Sequence, residues 1–151
     1  MSVGFHYDSL QSANFSTVGA TVIKATFAVG KPCELVRWGF TAFTAIVVPV
    51  GGFQLRLDKA DADGTTNLVT GAGGTLTQPA STNIAVNNGI YREISPLKFA
   101  QHQVIQIFCV VAATSGTGFG WIHYRPLDAH SADRRTFAEG NLMGQYLLRA
   151  S

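Results

Sequence analysis

Few residues of this chain could do chemistry, and their spacing defeats most of it. Asp58, Asp61 and Asp63, followed by Gly64, form the one acidic cluster. Calcium takes a cage of oxygen ligands, so this cluster is the first place to look for it. Aligning Asp61, Asp63 and Gly64 with the third, fifth and sixth positions of an EF-hand loop puts Lys59 first and Thr70 twelfth. Neither supplies the oxygen ligand or the bidentate glutamate those positions need. Asp63-Gly64 reads instead as a turn. His6, His102, His123 and His130 form neither an HxH pair nor HExxH, so no metal is expected. Ser115-Gly116 lacks the GxSxG context of an activated serine and reads as a turn. Cys33 and Cys109 match no zinc spacing and no CxxC. They read as small buried hydrophobes, with a disulfide between their two strands as the alternative. The sequence predicts no enzyme and no cofactor.

Binding to nucleic acid needs cations interleaved with aromatics on one surface. Arg37-Trp38, Tyr91-Arg92 and Tyr124-Arg125 each pair the two residue types. Neighbours along a strand point to opposite faces, so such pairs make no common platform. Only Arg134-Arg135 are consecutive cations, and no nucleic acid partner is expected. The apolar runs 46–50 and 107–113 fall far short of the ~20 residues a membrane helix requires. The start MSVGFHYD carries neither a basic segment nor an apolar block, so synthesis in a cytoplasm without membrane targeting is expected.

The elements that would position these groups read as β. Residues 53–58, Phe-Gln-Leu-Arg-Leu-Asp, alternate strictly between apolar and polar. Ile23, Ala25, Phe27 and Val29 make one face of an earlier strand, with Lys24 and Thr26 on the other. Residues 33–43 follow the turn Gly30-Lys31-Pro32, and residues 46–50 read as an apolar strand ending at Gly51-Gly52. The run 104–113 is apolar on both sides apart from Gln106, so it is expected at the centre of a sheet. Gly116-Thr117-Gly118 is the expected turn to residues 119–125 as a hairpin partner. Trp38 and Trp121 sit in apolar strands and read as core.

Strands recurring without a helical period give an all-β class, and the sequence predicts a jelly-roll-like antiparallel β-sandwich with N- and C-terminal arms. The sandwich domain is expected over 20–126, between arms at 1–19 and 127–151. The arms carry Phe5, Tyr7 and Phe15 at one end and Leu142, Tyr146, Leu147 and Leu148 at the other. These seven are the expected assembly interface.

Charge is the second clue. Only 13% of the 151 residues are charged, and the formal net charge is +2. From Gly64 to Tyr91 the one ionisable side chain is the tyrosine phenol. Free soluble domains use roughly 25% charged residues, and so charge-poor a surface is expected to be covered by other protein, as in a homo-trimer or larger assembly.

The stretch SPLKFAQHQ over 95–103, then VIQIFCVVAATSGTGFGWIHYRPL over 104–127, places a polar turn, an apolar strand, a Gly-x-Gly turn and an aromatic strand in order. It is similar to the closing hairpin of jelly-roll decoration (cement) proteins, which tailed bacteriophages bind to their capsid exteriors. The resemblance implies a homotrimer that bridges neighbouring capsomers. It would be assembled in the host cytoplasm, would sit on the virion surface with the major capsid protein as partner, and would have no catalytic role. The alternative is a carbohydrate- or receptor-binding β-sandwich module of a tail fibre, with Trp38 and Trp121 as the candidates for stacking on sugars.

Overall fold

The computed structural model describes residues 7–59 and 72–127. The strands are β1 (Asp8–Gln11), β2 (Phe15–Ser16), β3 (Val22–Ala28), β4 (Cys33–Ala42), β5 (Phe53–Lys59), β6 (Thr75–Gln78), β7 (Gly89–Phe99), β8 (Val104–Val111) and β9 (Thr117–Pro126). A short 3-10 turn, Ala72–Gly74, precedes β6. One sheet runs β1-β9-β4-β7, with β2 extending β1 along β9; the other runs β3-β8-β5-β6.

Every pairing is antiparallel, and β1 pairs β9, β3 pairs β8, β4 pairs β7 and β5 pairs β6. The chain is thus one long hairpin, with β5 and β6 at its tip, rolled up so that its two arms cross repeatedly between sheets. That is jelly-roll wiring, and the expected fold class is found. β8 lies inside its sheet, as its two-sided apolar pattern requires.

Three expectations change. The runs 104–113 and 119–125 do not form a hairpin, because β8 and β9 lie in different sheets. The connection between them crosses the sandwich, pinned by the Ala113 N–H on Thr17 O, the Thr114 N–H on Val47 O and the Thr17 N–H on Gly116 O. Residues 46–50 are not a strand but a crossing loop, with single bridges from Ile46 to Ile84 and from Val47 to Ser115. Within the expected arm 1–19, Asp8–Gln11 and Phe15–Ser16 are strands of the body. β9 would otherwise leave an edge of unpaired backbone groups there. Of the expected C-terminal arm only Leu127 is described, its N–H donating to Pro32 O.

The core lies between the sheets. Trp38, Phe40 and Ile122 from one sheet meet Phe53, Leu55, Leu57, Ile105 and Ile107 from the other, all fully buried. The Phe40 and Phe53 rings are 5.7 Å apart and edge-on. Trp38 is core as expected, and its Nε1 donates to Gly73 O at 2.8 Å, which removes the cost of burying the indole N–H. Cys33 and Cys109 are buried free thiols, and burial pushes both thiols above their ordinary titration range. In β5 the alternation hides an exception. Asp58, on the expected solvent side, is fully buried and is held by Arg56 through two hydrogen bonds of 2.7 and 2.8 Å.

Two local features decide what faces outward from the first sheet. A bulge in β4 shifts the register between Leu35 and Arg37 against both neighbours. Leu35 and Trp38 therefore both reach the core while Arg37 turns out. In β9 the core-facing positions include Gly118 and Gly120. A Cβ at Gly118 would collide with the Phe40 ring and Thr41 O, and one at Gly120 with the Ile107 δ-methyl. Phe119, Trp121 and His123 occupy the alternate, outer positions, while Tyr124 packs against the core.

Gly118→Val is expected to cost about 1–3 kcal/mol through overpacking, measured by urea unfolding. Gly30→Ala, where a Cβ meets nothing within 4 Å, is expected to stay within about 0.5 kcal/mol of the parent. Equal losses for the two variants would contradict the close packing on β9.

Candidate functional site

Two surfaces stand out, and the first is the outer face of the β1-β9-β4-β7 sheet. Cross-strand partners share a face, so the register sets its rows. Tyr91, Gly39, Trp121 and Gln11 form one row, and Glu93, Arg37, His123 and Ser9 form the next. The Trp121 indole lies against the backbone at Gly39, where a Cβ would collide with its six-membered ring. Its Nε1 donates to Thr41 Oγ1 at 3.1 Å. The His123 ring lies 4.5 Å from that of Trp121 with an interplanar angle of 35°, and the Tyr91 ring 6.3 Å away at 34°. Tyr91 is 59% exposed.

The two arginines on this face are ion-paired, and Lys98 shares the row of Glu34 and Arg125. Arg37 donates to Glu93 at 3.2 Å, and Arg125 donates to Glu34. Both guanidinium groups also lie near the Tyr7 ring, at 5.8 and 6.0 Å. Burial lowers the His123 titration below its ordinary value, and the neighbouring Arg37 lowers it further.

The second surface is the end of the sandwich where the crossing loops gather. Residues 12–21, 43–52, 79–88 and 112–116 contain no Asp, Glu, Lys, Arg or His. The loops are laced by backbone and side-chain hydrogen bonds: Ile46 and Ile84 exchange two, the Ser81 N–H reaches Pro49 O, and the Val48 N–H reaches Asn83 Oδ1. Exposed apolar side chains stand on them, with Val50 at 84%, Phe43 at 57% and Val86 at 49%. Lys24 of β3 reaches this end to donate to Val18 O.

Tyr7 stays exposed beside the two arginines. Phe15 instead packs on the core, 5.6 Å from Phe40, so it serves the body of the sandwich. Phe5, Leu142, Tyr146, Leu147 and Leu148 lie outside the described residues. Trp121 is half-buried and faces outward, against the expectation of core, because Gly118 and Gly120 take the inner positions. Sequence reasoning missed the convergence of Arg37, Tyr91, Trp121 and His123. The alternation of glycine with aromatic residues over 118–123 was its one local signal.

Among the described residues no three His, Cys, Asp or Glu side chains group as a metal site. No family model matches the chain, and no curated protein matches it. Among solved structures it is similar to a chain of the Bacillus endospore appendages, described as a novel family of disulfide-linked pili. That match has 11% identity and a TM-score of 0.38, over 80% of this chain and 88% of that one.

The lowered His123 value carries a pH dependence. The fold prefers the neutral ring, so the unfolded chain takes up the proton first as the pH falls. This contribution to stability is full above pH 6.5, the ring's ordinary value, and is lost progressively below it. Unfolding midpoints measured between pH 7.5 and 5 should fall less steeply in His123→Gln than in the parent. Parallel curves would contradict the assignment.

Proposed function

We propose that this chain is a non-catalytic structural protein that works by docking onto other protein. In the full form of the reading it is a homotrimer on the outside of a phage capsid, bridging neighbouring copies of the major capsid protein. The observation that carries the docking role is the set of charge-free loops gathered at one end of the sandwich, which Lys24 of β3 reaches with its ammonium tied to Val18 O. Covering a charged surface costs desolvation of every charge left imperfectly paired, and these four loops have none to desolvate. Their polar backbone groups are already tied to one another, so covering them leaves few donors unmet. The exposed Val50, Phe43 and Val86 supply apolar contact on a surface already held in shape. Three copies meeting at this end, or one copy seated on a capsid protein, would use the same chemistry. The trimer and the capsid come from the resemblance of residues 95–127 to decoration proteins.

Sedimentation tests the reading. The parent is expected to run well above its 16.1 kDa chain mass, and the double variant Val50→Glu/Val86→Glu as a monomer with unchanged circular dichroism. Losing two buried valine contacts weakens association by about 100-fold or more. A parent that stays monomeric at high concentration and does not pellet with phage heads would overturn the proposal.

A further inference from the structure

We infer that the outer face of the β1-β9-β4-β7 sheet is a second binding surface, which takes the ring face of a neutral oligosaccharide. The inference goes beyond the assembly role and rests on different residues.

β9 is built inside out for a core strand. Its inward positions include Gly118 and Gly120, while Phe119, Trp121 and His123 face away from the core. These three rings therefore do not serve the packing between the sheets. Trp121 is also fixed before any ligand arrives. One indole face rests on Gly39, the Nε1 is held by Thr41, and the His123 ring packs against it at 4.5 Å, while the side chain stays half-exposed. Tyr91 and His123 flank it, tilted by 34° and 35°, with His123 overlapping the indole at 4.5 Å and Tyr91 standing beside it at 6.3 Å, so the three rings make a stepped aromatic surface whose most exposed part is Tyr91.

The polar groups around this surface define the ligand class. Arg37 is answered by Glu93 and Arg125 by Glu34, so the arginines nearest the rings carry their own counter-charges. His123 is held towards its neutral form by burial and by Arg37. With Lys98 beside Glu34 the face carries three cations against two carboxylates, a surplus of one, far short of the rows of Lys and Arg that a phosphate-rich strand or a sulfated chain needs. The same ion pairs offer N–H donors and carboxylate acceptors side by side, with Arg37 and Glu93 one row from Trp121. A ligand with an apolar C–H face and a rim of uncharged hydroxyls matches both parts. Its C–H groups lie on the negative faces of the aromatic rings, and its hydroxyls reach the charged edge.

The test is a printed array of neutral and anionic oligosaccharides, probed with the parent, Trp121→Ala, Tyr91→Ala and the Val50→Glu/Val86→Glu variant. The parent should retain neutral glycans, and Trp121→Ala should reduce that binding by about ten-fold or more. Tyr91 is so exposed that its loss cannot disturb the core. Tyr91→Ala therefore serves if Trp121→Ala fails to fold, and should weaken binding several-fold. The Val50→Glu/Val86→Glu variant should bind glycans as the parent does, per chain, even if it no longer assembles. The inference is overturned if no neutral glycan is retained, if anionic glycans alone are retained, or if Tyr91→Ala and Trp121→Ala bind as the parent does.

Discussion

The close approach of two buried side chains, Phe40 from the neighbouring strand β4 and Ile107 from the opposite sheet, to the backbone of β9 is the constraint on which the rest of this molecule depends. The Phe40 ring fills the space beside Gly118, and Ile107 fills the space beside Gly120. Glycine within a strand gives up conformational freedom on folding, at about 0.5–1 kcal/mol relative to alanine. Complete burial of Phe40 and Ile107 offsets that cost, at about 1.5–3 kcal/mol for each such side chain. With the inner side of β9 at 118 and 120 given over to its neighbours, the large side chains of this half of the strand, Phe119 and Trp121, face outward, and Ile122 resumes the core side. The bulge in β4 does the complementary thing, sending Trp38 in and Arg37 out across from His123. The aromatic face and the core are two consequences of one packing arrangement.

Jelly-roll wiring separates the two candidate surfaces. Because consecutive strands lie mostly in different sheets, the chain must cross between them, and the crossings over 43–52, 79–88 and 112–116 collect at one end. The loops at that end carry no charged side chain and are braced by hydrogen bonds to one another, with Lys24 of β3 held on Val18 O. The aromatic face lies on the side of the sandwich and carries two arginine–glutamate pairs, with Lys98 alongside. An end that associates and a side that stays open are compatible in one molecule. Cement proteins would need the first, and a module that holds glycans would need the second.

Much of the fold was legible in the sequence. Alternation over 53–58 and the two-sided apolar run at 104–113 gave strands in the right places, and the sparse helical period gave the class. What misled was adjacency. The short link around Ser115-Gly116 looks like a hairpin turn, yet β8 and β9 pair with β3 and β4, far away in sequence. Local pattern cannot show that a turn crosses between sheets. The same limit hid the aromatic face. Arg37, Tyr91 and Trp121 come from three strands, and only the register brings them together. Asp58 looked solvated because the alternation says so, but its two bonds to Arg56 let it be buried. The charge-poor composition was visible at once; its concentration at one end needed the topology.

The central claim is that this sandwich associates through the end where its charge-free loops gather and leaves its aromatic face open. Hydroxyl-radical footprinting across a dilution series that spans self-association measures both surfaces in one experiment. Oxidation of Phe43 should fall as the chains associate, while oxidation of Trp121 should stay constant. Protection of Trp121 with Phe43 unchanged would contradict the account, because the aromatic face would then be the contact between copies.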